Sequence, residues 1–179
     1  MRIGVTLIAA ALALCAAPAP AQESGTVELA PGQAATLTVG GKGAIRVVQR
    51  GRGEWTPHDL AAARHLVGQP IPDAPVPTAE ALPDGPGAPQ APPVEPGRVK
   101  LRFMSVADRH MLLIVENGYG QALLYRARML RGGNSRPTDV CVVLPANRSY
   151  EHWPHMIERI QLSDFALVAW NEGDRPTCE

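Results

Sequence analysis

The chain is poor in aromatic residues. It has eight in 179, namely three Trp, three Tyr and two Phe. Trp55, Trp153, Trp170, Phe103 and Phe165 are therefore the candidate core anchors. Lysine is nearly absent, at two residues against fifteen arginines, and the 17 basic residues balance 17 acidic ones to a formal net charge of zero. That balance argues against nucleic acid as a partner. Cysteine occurs only at positions 15, 141 and 178, too few for a cysteine-built zinc site. The longest uncharged, mostly apolar run, residues 3–17, is shorter than the roughly 20 residues a membrane span requires.

That run has the form of an export signal. Arg2 supplies a positive start, and Ala19-Pro20-Ala21 offers small residues where a signal peptidase reads, with cleavage predicted before Gln22. The alternative is a lipoprotein anchored at Cys15, but the residue before that cysteine is the bulky Leu14 rather than a small one. A signal over residues 1–21 predicts a periplasmic or secreted protein with no membrane span after cleavage. Removing it leaves 158 residues of net charge about −1, since Arg2 is its one charged residue. That length suits a single domain.

Residues 22–68 carry strand alternation followed by one helix. Val27 and Leu29, then Ala35, Leu37 and Val39, then Ile45 and Val47 alternate with polar neighbours, predicting a short meander. Thr56-Pro57-His58-Asp59 supplies a capping hydroxyl, a proline at the first helical position and a carboxylate in the first turn. Gly68 and Pro70 end the helix. Residues 69–97 are of another kind: ten of the 29 are proline, with four acids and no base. This composition predicts a largely disordered, extended insertion, or less simply a proline-rich docking ligand.

Residues 98–179 read as the main strands. Val99, Leu101 and Phe103 alternate with Arg98, Lys100 and Arg102, which predicts a half-buried strand with the basic residues facing water. Met111 to Val115 is continuously apolar and predicts burial on both faces. Asn117-Gly118 predicts a hairpin into a strand over 121–130. Gly132-Gly133-Asn134 predicts a turn, residues 140–144 a buried run, and Ile160 to Trp170 two strands split by Ser163-Asp164. The sum is an antiparallel β-sandwich of the immunoglobulin-like kind with one short helix and a proline-rich disordered insertion.

Three arrangements bear on chemistry. His152, His155 and Met156, with His110 at a distance, are the candidate ligands of a transition metal such as copper or zinc. Pro154 bars the two histidines from sharing a helix face, and the simpler reading is a surface loop anchored by Trp153. Glycine-rich "GGKG" lacks the strand-loop-helix context of a phosphate loop. Ser105, Asp108 and His110 lie on one connection, whereas a catalytic triad is assembled from distant segments. The expectation is a protein that is not an enzyme and needs no cofactor.

Signal cleavage would leave Cys141 and Cys178, an even count that predicts a disulfide tying down the polar C-terminal tail. Basic residues cluster at Lys42, Arg46, Arg50 and Arg52 and again at Arg126, Arg128, Arg131 and Arg136, with no acid inside either run. They either pair within the sandwich or face an anionic ligand or an envelope protein. The leading expectation is thus a non-enzymatic binding or envelope-accessory module, and the alternative is a periplasmic copper- or zinc-binding protein.

Overall fold

The structure is a computed structural model that describes residues 23–68, 87, 89–139, 142–171 and 173–174. Its strands are β1 (Glu23–Ser24), β2 (Thr26–Leu29), β3 (Gln33–Val39), β4 (Ile45–Arg52), β5 (Val99–Val106), β6 (His110–Asn117), β7 (Ala122–Arg131), β8 (Asn134–Pro137), β9 (Val142–Val143), β10 (Arg148–Trp153) and β11 (Arg159–Val168). Among the described residues there is one α-helix, α1, which spans Pro57–Val67. Two antiparallel sheets face each other in a sandwich-like arrangement. One runs β1-β4-β3-β5-β6-β10 and the other β2-β11-β7-β8, with β9 also on β7. The inward rows, among them Leu37, Leu101, Phe103, Leu113, Tyr125, Ile160, Leu162 and Phe165, form one continuous core.

Helix α1 begins and ends where its sequence says it should. Thr56 and Asp59 form a reciprocal capping box, Pro57 opens the helix, and Gly68 closes it in the left-handed conformation at φ 64°. The helix lies on the outer face of the six-stranded sheet. Ala63 packs there on Met104, Val106, Leu112 and Ile114, with Trp55, Val67 and Tyr150 at the margins. The small side chains of Ala61 to Ala63 let the helix approach the sheet closely. The six-stranded sheet is therefore covered twice in its middle. This is why Met111 to Val115 is apolar at every position: all five residues are fully buried.

Several expectations are corrected. Asn117-Gly118 does not join a hairpin, because β6 pairs with β5 and β10 while β7 lies in the other sheet. Asn117 instead ties the crossing together, its side-chain amide donating to the carbonyls of Gln121, Val143 and Leu144. Gly118 is required because a Cβ there would lie 1.8 Å from the Glu95 carbonyl oxygen. The N-terminal strands are likewise no simple meander: β2 pairs with β11 in the five-stranded sheet. The two strands foreseen over 160–170 are one strand, β11, interrupted by a bulge with Asp164 at φ 55°. Trp170 is only half-buried.

The proline-rich segment is seated on the body at its end. Gly97 N–H donates to Gly118 O at 2.8 Å, and Arg148 donates to Pro92 O at 3.3 Å. The expectation of an unpacked chain up to Gly97 is thus corrected for its last residues, while 69–86 and 88 lie outside the described residues.

Candidate functional site

Strand alternation places Arg102 on β5, Glu116 on β6 and Arg148 and Tyr150 on β10 on the outer face of the sheet, in the same rows as Met104, Leu112 and Ile114. Helix α1 adds His58 and Asp59 from above. The expected solvent-facing role of Arg102 is corrected here, since it is 2% exposed. One of its nitrogens donates to Asp59 Oδ2 at 2.5 Å and to Glu54 O at 2.8 Å, and the other to Glu116 Oε1 at 2.6 Å. Arg148 then stands 3.2 Å from Glu116 Oε2 and 4.0 Å from Asp59 Oδ1. The four side chains close a ring of alternating charge, Asp59–Arg102–Glu116–Arg148, with no net charge.

Neutral donors complete the ring. Tyr150 O–H donates to Asp59 Oδ1 at 2.8 Å, which leaves the phenol oxygen to accept from His58 Nδ1 at 2.8 Å. His58 is accordingly protonated on Nδ1 at this contact. Thr56 Oγ1 donates to Asp59 Oδ2 at 2.6 Å. Burial pushes the Asp59 carboxyl up, but the hydrogen bonds from Arg102, Thr56 and Tyr150 and the Arg102 charge outweigh it. The carboxyl is held below its ordinary value. Each carboxylate is saturated by its neighbours, and the cluster is closed to solvent. Such an arrangement fixes a helix on a sheet; it presents no free acid or base to a substrate.

At the other end of the same face lies a second cluster. His152 on β10 is opposite Leu112, and His110 sits two residues from Leu112 on β6, so the histidines meet diagonally. His110 Nδ1 and His152 Nε2 are 2.9 Å apart, with ring centroids 5.1 Å apart. The centroid separation is about that distance plus two ring radii, so the two nitrogens face each other. Burial and then the neighbouring His110 hold His152 below its ordinary value, which favours the neutral ring.

Of the set read from the sequence, His152 is brought to His110 rather than to Met156. The Met156 sulfur lies 3.9 Å from Ser105 Oγ. Ser105 alternates with Met104 and Val106 and so belongs to the opposite face of β5. His155 is half-buried beyond the end of β10. Trp153 anchors this region as expected, 8% exposed and edge-on to Phe103. Among the described residues, no group of three or more His, Cys, Asp or Glu is placed to hold a metal ion.

Two further features lie apart from these clusters. Glu151 points between the sheets, and burial, then the charge of Asp139, raises its carboxyl to about 7. A cleft of about 730 Å³ opens between the Gly40–Gly43 loop and β11, lined by Lys42, Gln121, Asp164 and Phe165 among others. Gly43 is held so close to β11 that a Cβ would lie 2.4 Å from Phe165 O. The loop joins two antiparallel strands and no α-helix follows it, so the phosphate-loop context is absent here too.

The ring of charge was missed in the sequence, where Asp59 read as a cap and Arg102 as a surface residue. The signal was present in Met111 to Val115, a run that demands a second cover which only α1 could supply. Cys15, Cys141 and Cys178 lie outside the described residues. No helix among the described residues is long and apolar enough to cross a membrane. Comparisons with protein families, with curated proteins and with solved structures find no match.

Proposed function

We propose that this chain is an exported, non-enzymatic binding or envelope-accessory module that takes an extended, acidic segment of a partner along the open edge of β4. The observation that carries the reading is that edge. β3 pairs with β4 from Ile45 to Arg52, whereas β1 covers only Ile45 and Arg46 on the other side. From Val47 to Arg52, β4 has no outer strand partner among the described residues. Val48 is 44% exposed, and no acid occurs between Gly41 and Gly53. An unpaired edge offers backbone hydrogen bonds to an extended peptide, and Arg50 and Arg52 favour carboxylates on it. The same arginines repel a second copy of the edge.

Export, signal cleavage and the Cys141–Cys178 disulfide belong to this proposal, as does the immunoglobulin-like character of the sandwich. That character matters only as a scaffold for edges and loops, because fold does not imply function. The sealed ring under α1 supports a non-enzymatic role, since the most densely charged cluster is spent on structure. The second reading, a copper- or zinc-binding protein, is favoured by the His110–His152 contact.

The test places a photocrosslinking amino acid at Val48 of the exported protein and, as a control, at exposed Ser135. The proposal expects an adduct from Val48 that is absent from Ser135 and is lost with Arg52→Glu. Equal labelling at both positions, or an adduct indifferent to the charge reversal, would overturn it.

A further inference from the structure

The geometry points to His110 and His152 as a two-imidazole site for a divalent ion of the copper and nickel class. The two rings come from neighbouring strands of a rigid sheet. Their cross-strand neighbours Val106 and Leu112 are buried, at 1% and 0% exposure, while the rings themselves are partly open to solvent. The two ligand-bearing residues are thus held on strands rather than on a loop, which limits the ordering cost of binding to a tilt of the rings.

The spacing suits neighbouring positions on one ion. Metal–imidazole bonds are about 2.0–2.1 Å long, so two of them at a right angle place their nitrogens about 2.9 Å apart, and at a tetrahedral angle about 3.3 Å. The observed separation is 2.9 Å. It matches neighbouring positions of a square-planar or octahedral ion better than a tetrahedral zinc site. Copper(II) also stands highest in the general affinity order for nitrogen ligands. In the metal-free protein, the facing nitrogens share one proton. An ion takes the place of that proton when the donating ring passes it through solvent to its own second nitrogen, so that both rings stay neutral, and both rings tilt so that their lone pairs converge on the ion; the nitrogens need not separate further. Two positions go to His110 and His152, and the remaining ones are left to water or to an incoming donor. Met156, against Ser105 on the other face, and His155 are not required. This inference is independent of the β4 edge.

The experiment uses tag-free mature protein titrated with copper(II) sulfate and followed by calorimetry and electron paramagnetic resonance. One copper per chain with coupling to two imidazole nitrogens is expected. His110→Asn and His152→Asn, which keep a polar side chain in place, should each weaken binding at least tenfold, and His155→Ala should leave it unchanged. Melting curves of the variants show whether each remains folded. Binding that survives in both asparagine variants would assign the copper to the N-terminal amine or elsewhere and overturn the inference. Loss of binding in His155→Ala, or a spectrum without imidazole coupling, would overturn it as well.

Discussion

The Arg102 guanidinium reaches the Asp59 carboxylate across 2.5 Å, with both side chains at 2% exposure or less. Forty-three residues separate them in sequence. Their contact fastens α1 to the sheet. Removing one member of a buried pair strands the other charge, at a cost of about 3–5 kcal/mol. Arg102→Met and Asp59→Asn should each lower the urea midpoint accordingly. The double variant should lose less than the sum of the two. Additive losses would mean that the two residues do not act as a pair.

Asp59 also fixes the behaviour in acid. Its carboxyl is held below the ordinary value, so the folded state binds that proton less readily than the unfolded chain does. Its contribution is complete above the ordinary carboxylate range and is lost as pH falls through the folded value. Wild type and Asp59→Asn should therefore converge in stability as pH falls below the ordinary Asp value of 3.8. A gap that stays constant between pH 6 and pH 2, measured by chemical denaturation, would contradict this.

Glu151 works in the opposite sense. Its carboxyl is raised to about 7 in the folded protein, so the folded state binds more protons than the unfolded one between the ordinary value of 4.5 and about 7. Stability should fall with rising pH across that window. His152, held low, opposes this slope, because for it the unfolded chain binds more protons. The informative quantity is thus the difference from Glu151→Gln. The variant should gain on wild type from pH 5 to pH 7.5; no relative gain would sink the assignment.

Residues 92–97 of the proline-rich segment touch the body, and the composition of the part before them predicts an extended chain. Replacing residues 69–88 with a Gly/Ser linker of similar reach should change stability by less than about 0.6 kcal/mol. Gly118→Ala should cost about 1–3 kcal/mol, because its Cβ would meet the Glu95 carbonyl at 1.8 Å. Thermal melts of both variants measure this. A neutral Gly118→Ala would mean that residues 89–97 are not seated on β6.

For the cysteines, intact-mass analysis of exported protein is the check. Alkylation without reductant under denaturing conditions should add nothing, and reduction should expose two sites, at Cys141 and Cys178. The closed loop of about 37 residues would stabilise by roughly 4 kcal/mol in the chain-entropy description. The same spectrum should give an N-terminus at Gln22. An acylated Cys15 would replace that reading with a lipoprotein.

Local signals carried much of the architecture. The capping box at Thr56 and Asp59, the left-handed stop at Gly68 and the alternation through Leu123, Tyr125 and Ala127 are decided by neighbours in sequence, and each is found in place. The tight turn at Gly132-Gly133 is too: both glycines have positive φ, and Arg131 faces Asn134. What failed depended on pairing at a distance. Asn117-Gly118 has the composition of a hairpin, yet the chain uses it to change sheets, because Asn117 finds three carbonyls from other segments. Arg102 has the alternation of a surface residue, and only the arrival of α1 changes its environment. His110 and His152, 42 residues apart, carry no local mark of their meeting.

The double cover of β6 has a kinetic meaning. Its amides lie between a hydrophobic core on one side and a charged ring on the other, so solvent reaches the outer side only when α1 leaves. That departure would hydrate Arg102, Glu116, Arg148 and Asp59 together, since each is the counterion of another. The helix should therefore not fray from the sheet turn by turn. In hydrogen exchange, the amides of α1 around Asp59 and those of β5 and β6 should open as one cooperative unit, far slower than an eleven-residue surface helix would on its own.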